Sequence, residues 1–168
     1  MPSLYLIRHG IAEERGTQAD DNLRSLTDEG QKKTKQVAKR LYDLGLRFDL
    51  LQTSPLVRAK QTSDIFANIF TNCPVQQSEE LAPEGSLETW LTWANEWISK
   101  HPHPGKASLG IIGHEPDLST WAEILIWGES KGALVLKKAG IIGLALPENQ
   151  PWQGNSILFL SIPPKLLI

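Results

Sequence analysis

The sequence has few of the features that mark several classes of protein. Cys73 is the one cysteine in 168 residues, so no disulfide can form within the chain, which fits a reducing compartment. Basic residues show no surplus, because 17 Lys and Arg stand against 19 Asp and Glu. The net charge of −2 therefore provides no footprint for nucleic acid or for an anionic membrane surface.

Long hydrophobic runs and targeting segments are also missing. The longest uncharged apolar run, residues 139–147, is far shorter than the roughly 20 residues that cross a bilayer. The amino terminus has no basic stretch and reaches Arg8 too early for a secretory signal. No linker or repeat divides the chain, so we expect one domain over residues 1–168, located in the cytoplasm.

Short apolar runs alternate with helical patterns along the chain, which is typical of an α/β domain. Seven runs predict strands, at residues 4–7, 49–53, near Val75, and at 108–112, 134–136, 141–146 and 157–162. Four helix starts are expected, at Thr27, Ser54–Pro55, Ser86 and Pro116. Because no helix separates the last three strands, the sheet is expected to be mixed.

Three polar clusters directly follow predicted strands. They are Arg-His-Gly at residues 8–10, Ser-Pro-Leu-Val-Arg at 54–58 and Gly-His-Glu at 113–115. In an open α/β sheet, ligands bind at the carboxyl ends of the strands. We therefore expect residues from all three clusters to meet in one crevice.

The side chains in these clusters are suited to phosphoryl transfer without a metal. Arg8 and Arg58 present planar donor pairs that match two oxygens of a phosphate. His9 and His114 add two imidazoles, and a neutral imidazole can accept a phosphoryl group on nitrogen. The flanking cations would favour that neutral form. The glycines of the first and third clusters would allow backbone and ligand to approach closely.

These motifs resemble those of the histidine phosphatase superfamily, also called the phosphoglycerate-mutase-like family. The resemblance is carried by Leu6–Gly10, Leu26–Gly30, Ser54–Thr62 and Gly113–Pro116, and it spans residues 4 to about 120. The short chain, and Ile-Ala after Arg-His-Gly where mutase-like members usually have Glu-Thr, look most like the SixA-type phosphohistidine phosphatases.

The resemblance implies a three-layer α/β/α sandwich around a mixed, mostly parallel sheet, and an enzyme that needs no cofactor. It implies that His9 is the nucleophile that becomes phosphohistidine. Arg8 and Arg58 would bind the phosphoryl oxygens, and His114 would contact the same group and stabilise the transition state. The expected substrate is phosphohistidine on a signalling protein. A small phosphate ester, or a non-catalytic phosphate-binding interaction module, is the alternative.

The chain departs from the family pattern at the acidic proton donor. Many members carry one in the loop after the third strand, but here Pro83 stands at about that register. Glu80 and Glu84 are the candidates, and each could equally be a solvated loop charge. The long helical insertion of larger members is also absent. This implies a shallow, open crevice that suits a phosphorylated protein side chain.

A metal-dependent hydrolase is the weakest alternative. His101 and His103 alternate with prolines, which indicates an exposed turn rather than a metal site. His9, His114 and Glu80 could in principle hold zinc, but two arginines at the same place would repel a cation. A non-catalytic module is disfavoured because both imidazoles are present. We expect no metal and no nucleic acid, and a phosphorylated protein or small molecule as partner.

Overall fold

The computed structural model describes residues 1–168 as a six-stranded sheet with helices on both faces. The strands are β1 (Ser3–Arg8), β2 (Leu50–Thr53), β3 (Val75–Gln77), β4 (Ser108–Gly113), β5 (Ile141–Ala145) and β6 (Ile157–Ile162). The helices are α1 (Asp28–Asp43), α2 (Val57–Ile69), α3 (Leu87–Ser99) and α4 (Asp117–Trp127). None of the helices combines the length and the apolar character that a membrane crossing requires.

The sheet is mixed and mostly parallel, as expected. Its strand order is β3-β2-β4-β1-β5-β6. The first four strands in that order are parallel, and β5 runs antiparallel to both of its neighbours. The central position of β4 brings the carboxyl ends of β1, β2 and β4 side by side, with Arg8 paired to Gly113 and Thr53 to Ile112. The three polar clusters therefore emerge at one edge of the sheet.

Alternating side chains of the strands face two apolar cores, which confirms the α/β/α sandwich. In β1, Leu4 and Leu6 join the core under α3 and α4, while Tyr5 and Ile7 join the core under α1 and α2. Trp90 of α3 is fully buried, and its indole N–H donates to the Gln52 side chain at 2.8 Å. This tryptophan therefore anchors the core, as its position on the apolar stripe of the helix indicates.

Three of the four helix starts follow the sequence signals, since α1 and α3 begin at side-chain caps and α4 begins at Asp117, directly after Pro116. The Thr27 hydroxyl accepts the Gly30 N–H at 2.9 Å at the start of α1, and Ser86 caps α3 by accepting from Thr89 at 3.2 Å. Such caps satisfy backbone donors that the first turn leaves unpaired. Gly45, with a φ of +94°, follows the end of α1 in the left-handed conformation that glycine favours.

The expected start of α2 at Ser54–Pro55 is wrong. The helix begins at Val57, and its cap residue, Leu56, makes no side-chain capping bond. The Ser54 hydroxyl instead accepts the Leu56 N–H at 3.2 Å and bonds to the ring of His114 at 2.8 Å. Ser54 is therefore used to build the turn between β2 and α2 and not to cap the helix.

The expected strand at residues 134–136 is also wrong, because this segment is irregular. The buried carboxylate of Glu123 in α4 accepts the backbone N–H groups of Ala133 and Leu134, at 2.9 and 3.0 Å, and also that of Lys131. Backbone donors held by a side chain are not available to a strand ladder. Leu136 of this segment is buried, Leu134 is partly buried and Val135 is 68% exposed, so the apolar pattern corresponds to an irregular loop that is only partly buried.

Candidate active site

The four side chains from the polar clusters line one cavity of about 680 Å³. Arg8 is the last residue of β1 and His9 follows it, while His114 follows β4 and Arg58 lies in the first turn of α2. Residues that are 106 positions apart in the chain, 8 and 114, meet here because β1 and β4 are adjacent and parallel. The crevice expected from the strand order is present.

His9 is 5% exposed and its ring is held in one tautomer. Its backbone N–H donates to the Gly113 carbonyl at 3.1 Å, which extends the pairing of β1 with β4 by one bond. Nδ1 lies 2.7 Å from the Gly10 carbonyl oxygen, which can only accept, so Nδ1 carries the proton. The lone pair is left on Nε2, for which the protein provides no hydrogen-bond partner.

Both imidazoles are neutral at pH 7. Burial is the main cause and lowers the pKa of His9 to about 3 and that of His114 to about 4. The bond to the Gly10 carbonyl favours the charged form of His9, but the other ring and the two arginines oppose it. The cations of the site contribute in the direction expected from the sequence, but burial outweighs them.

Arg58 is buried and is fixed by a residue that the motifs did not reveal. Its Nη1 donates to the backbone carbonyl of Asp21 at 2.9 Å, and its Nη2 lies 3.3 Å from the Asp21 carboxylate. The same carboxylate accepts from Nε of Arg24 at 2.7 Å. Asp21 lies in a short 3-10 turn, Asp21–Leu23, within a polar loop whose composition has no periodic signal for a site residue.

Two hydroxyl groups connect the clusters to each other. The Ser54 hydroxyl, 2.8 Å from Nε2 of His114, links the end of β2 to the end of β4. Thr62 in α2 accepts the Gly10 N–H at 3.0 Å and donates to the Arg58 carbonyl at 2.8 Å. Both residues belong to the motif Ser54–Thr62, so the sequence pointed to them without indicating what they do.

Three buried nitrogens of the site have no hydrogen-bond partner in the protein. They are Nε of Arg8, Nε of Arg58 and Nδ1 of His114. The only other buried polar side-chain atoms without a partner are the hydroxyl oxygens of Thr34 and Ser63. An unpaired buried polar group typically costs about 1–3 kcal/mol. Because all three nitrogens belong to residues that line the cavity, the arrangement suits an anion that can accept several hydrogen bonds.

The structure separates the two candidate acids. Glu84 lines the cavity, in a left-handed conformation with a φ of +68°, and its backbone N–H donates to the Asp117 carboxylate at 2.7 Å. Glu80 does not line the cavity, and its carboxylate accepts the Ser86 N–H at 2.6 Å. Of the two, only Glu84 is therefore placed to reach a ligand.

The glycines next to the histidines are explained by packing. A Cβ at position 10 would collide with the Thr34 hydroxyl of α1, so Gly10 allows α1 to lie close to the end of β1. A Cβ on Gly113 would meet Leu118 and Leu81 at 3.4 Å, which is close to ordinary contact. Both glycines therefore face neighbouring elements of the protein, and their surroundings show no space that is kept for a ligand.

The alternative metal site is not formed. No group of three or more His, Cys, Asp or Glu side chains in the chain is arranged to hold a metal ion. His101 and His103 are not among the residues that line the cavity. The His101 ring instead packs against Trp97 in a tilted arrangement, with ring centroids 5.7 Å apart, and lies 3.3 Å from the Asp49 carboxylate.

The chain is similar to known proteins in sequence and in fold. A protein of Picosynechococcus sp. that has no described function is 43% identical over 166 residues, which is 98% of each chain. The protein histidine phosphatase SixA, in a structure with tungstate, superposes with a TM-score of 0.84 at 24% identity, over 99% of each chain. Phosphoserine phosphatase of Entamoeba histolytica, in complex with 3-phosphoglyceric acid, superposes with a TM-score of 0.68 at 18% identity, over 100% of each chain.

The family model that describes the histidine phosphatase superfamily (branch 1) matches residues 4–111. The match covers the first two polar clusters, and the third is placed beside them by the pairing of β1 with β4. A match over more than half of the chain shows membership, so the chain belongs to the histidine phosphatase superfamily.

Proposed function

We propose that this chain is a cofactor-independent phosphatase in which His9 is the nucleophile, and that its substrate is phosphohistidine on a protein. We propose further that residues 1–168 act as one catalytic domain. The observation that carries the proposal is a buried, neutral imidazole with its proton fixed on Nδ1, in a cavity with three unpartnered buried nitrogens. This is what in-line attack on a phosphoryl group requires.

In the first step, the lone pair of Nε2 of His9 attacks phosphorus. The bond from phosphorus to Nε2 forms while the bond to the leaving nitrogen breaks, and the leaving imidazole keeps the electron pair and takes up a proton from the solvent. The Gly10 carbonyl, 2.7 Å from Nδ1, stabilises the positive charge that develops on the ring. Arg8 and Arg58 balance the charge on the phosphoryl oxygens in a site that is already ordered before the substrate binds.

His114 contributes a hydrogen bond. Its low pKa, about 4, means that the ring is neutral and carries one proton. When the Ser54 hydroxyl donates to Nε2, that proton is on Nδ1, the buried nitrogen without a partner in the protein. Nδ1–H then donates to a phosphoryl oxygen, and the unpaired donor is satisfied only when the ligand is bound.

In the second step, water attacks the phosphohistidine. The bond from phosphorus to Nε2 breaks, its electron pair returns to the ring, and inorganic phosphate leaves with the oxygen and the protons of the water. His9 is again neutral, so the cycle consumes one water for each phosphoryl group. No step needs an oxidant, a metal or a second substrate.

The composition of the cavity supports a protein substrate. Sixteen residues line it and one of them is hydrophobic, whereas sites for small molecules are usually lined mainly by apolar side chains. A phosphorylated nitrogen is also easily protonated as it leaves, so the exposed Glu84 need not act as a strong acid. A small phosphate ester remains the alternative, and the similarity to a phosphoserine phosphatase is the observation in its favour.

The test is to trap the phosphoenzyme. A protein domain that carries labelled phosphohistidine is mixed with the enzyme. The reaction is quenched without acid, and the enzyme is then separated from the domain by size. We expect an alkali-stable, acid-labile label on the wild type, and no label on His9→Ala, with turnover lower by at least about 10³-fold. His101→Ala, outside the cavity, is the matched control and should retain the label.

Each contrary result identifies what is wrong. Turnover by His9→Ala within about tenfold of the wild type would reject the nucleophile. Hydrolysis of phosphoserine or other small esters, with no action on the phosphohistidine domain, would show that the substrate is a small phosphate ester. Binding of phosphate with no turnover of any substrate would indicate a non-catalytic phosphate-binding module.

A further inference from the structure

The cavity contains two positively charged side chains, Arg15 and Lys138, that neither the mechanism nor the hydrogen bonds of the protein use. Three other cations line the cavity, and each donates to acceptors of the protein: Arg8 to the Leu136 carbonyl at 3.1 Å, and Arg24 and Arg58 to Asp21. Arg15 and Lys138 make no hydrogen bond and no ion pair. Their donors are therefore free to bind a ligand.

Lys138 is positioned by the backbone next to the nucleophile. The N–H of Ala139 donates to the carbonyl oxygens of both Arg8 and His9, each at 3.1 Å. Ala139 has a φ of +62°, a left-handed conformation that residues other than glycine rarely adopt. A bond from Gly140 N–H to the Lys137 carbonyl, at 2.7 Å, closes the turn. The place of Lys138 at the cavity is therefore fixed by the same backbone that presents His9.

None of the six carboxylates that line the cavity forms an ion pair with Arg15 or Lys138. Glu13 accepts the Ser25 N–H at 2.8 Å, and Glu115 accepts from the backbone and the hydroxyl of Ser119 at 2.8 and 2.6 Å. Asp117 accepts the Glu84 N–H.

The remaining acidic side chains, Glu14 and Glu84, form no ion pair with either cation, and Asp21 is occupied by Arg24 and Arg58. Burial, followed by the positive charges of Arg8, Arg24 and Arg15, lowers the pKa of Lys138. The charged groups that act on Lys138 are thus the three arginines, and an anion bound beside it would offset their positive charge.

We propose that Arg15 and Lys138 bind a carboxylate of the substrate next to the phosphoryl group, so that the preferred substrate is a phosphohistidine flanked by acidic side chains. The inference rests on the proposed function, because it assigns a substrate class to the same cavity. The phosphoryl group binds to the two arginines and two histidines at the base of the cavity. The neighbouring carboxylate of the substrate pairs with Arg15 and Lys138, which lie beside that base. Opposite charges arranged in this way select partners and accelerate encounter.

The test uses two synthetic phosphohistidine peptides that differ only in having Glu or Gln beside the phosphorylated residue. We expect the wild type to prefer the Glu peptide through a lower KM, by about fivefold for each exposed ion pair. Lys138→Ala and Arg15→Ala should each remove about that factor for the Glu peptide and leave the Gln peptide within about twofold. High salt should weaken the preference.

Lys137→Ala is the matched control, because Lys137 is the exposed neighbour of Lys138 and does not line the cavity. It should retain the preference for the Glu peptide. Equal loss for both peptides in Lys138→Ala would mean that Lys138 acts on the phosphoryl group itself, which would overturn the inference. So would a wild type that does not distinguish the two peptides.

Failure of the proposed function has a different signature, since the wild type would then hydrolyse neither peptide. In that case the inference is decided by calorimetric titration with inorganic phosphate and pyrophosphate. Tighter binding of pyrophosphate that Lys138→Ala abolishes would support a second anion site. Equal affinity of the wild type for the two anions would refute it.

Discussion

The floor of the cavity and its rim are built in opposite ways. The floor, which we define as Arg8, His9, Arg58 and His114, is largely buried, and both histidines and Arg58 are no more than 5% exposed. The rim consists of the other residues that line the cavity, in the segments 12–24, 83–84 and 115–117 and at Lys138, where most of the charged side chains are exposed. The difference separates two tasks, because burial sets the protonation of the floor while exposure leaves the charges of the rim free to meet a partner.

The two regions are joined at Asp21. This residue belongs to the rim, and its side chain is 51% exposed, yet it holds the guanidinium of Arg58 in the floor. The bond to Arg24, followed by the charges of Arg24 and Arg58, lowers the pKa of Asp21. Loss of order in this loop would therefore be transmitted to phosphoryl binding, whereas changes at the other exposed charges would not.

The largest effect is expected from the floor. Arg58→Ala removes a fixed guanidinium that balances charge on the phosphoryl group, and we expect kcat to fall by about 10²–10³-fold. Arg58→Lys, which keeps the charge and loses the paired donors, should recover part of this loss. The measurement is steady-state hydrolysis of a phosphohistidine peptide, with melting curves to confirm that each variant is folded.

Lys60→Ala is the control for the loss of a cation from α2, because Lys60 is exposed and does not line the cavity. Its activity should lie within about twofold of the wild type, as is usual for surface substitutions. If Arg58→Ala retained activity within about threefold, buried and exposed cations would be equivalent here. The contrast between floor and rim would then have no catalytic meaning.

The next effect concerns pH. A pKa of about 3 for His9 and about 4 for His114 lies below the ordinary value near 6.5, so the folded protein binds fewer protons than the unfolded chain at mildly acidic pH. These groups leave the free energy of unfolding unchanged above about pH 6.5, and they lower it as the pH falls towards 4 and 3. His9, the nucleophile, should stay neutral as the pH falls from about 6.5 towards 4.

NMR titration of the imidazole nitrogens measures this directly. Neither ring should change protonation between about pH 8 and pH 5 in the folded protein, and both should titrate near 6.5 in urea. A midpoint for folded His9 within about one unit of 6.5 would contradict the assignment of a buried neutral nucleophile.

The sequence predicted the floor better than the rim for a physical reason. Each floor residue stands at the end of a strand, immediately after one, or in the first turn of a helix, so the strand order is enough to bring them together. The positions of the rim residues depend instead on hydrogen bonds within and between loops, which no sequence pattern shows. The turn at residues 21–23 places Asp21, and the hydrogen bonds of Ala139 place Lys138.

The two wrong secondary-structure predictions have the same origin. Ser54–Pro55 has the composition of a helix start, but the Ser54 hydroxyl is taken by a histidine 60 residues away in the chain. Residues 134–136 are apolar enough for a strand, but a buried carboxylate from α4 accepts the backbone N–H groups of Ala133 and Leu134. Local patterns describe local preferences, and in both places one distant polar contact overrides them.

The smallest effect is expected at Glu84. It lines the cavity, but it is exposed and its carboxylate makes no hydrogen bond, so nothing fixes it for proton transfer. For a phosphohistidine peptide, whose leaving nitrogen is readily protonated, Glu84→Gln should change kcat by less than about threefold, far below the 10²–10⁴ of a general acid. Glu80→Ala, which removes the acceptor of the Ser86 N–H, should lower the melting temperature and leave kcat unchanged. A loss of 100-fold or more in Glu84→Gln would show that this rim residue takes part in the chemistry, and the boundary between floor and rim would have to be redrawn around it.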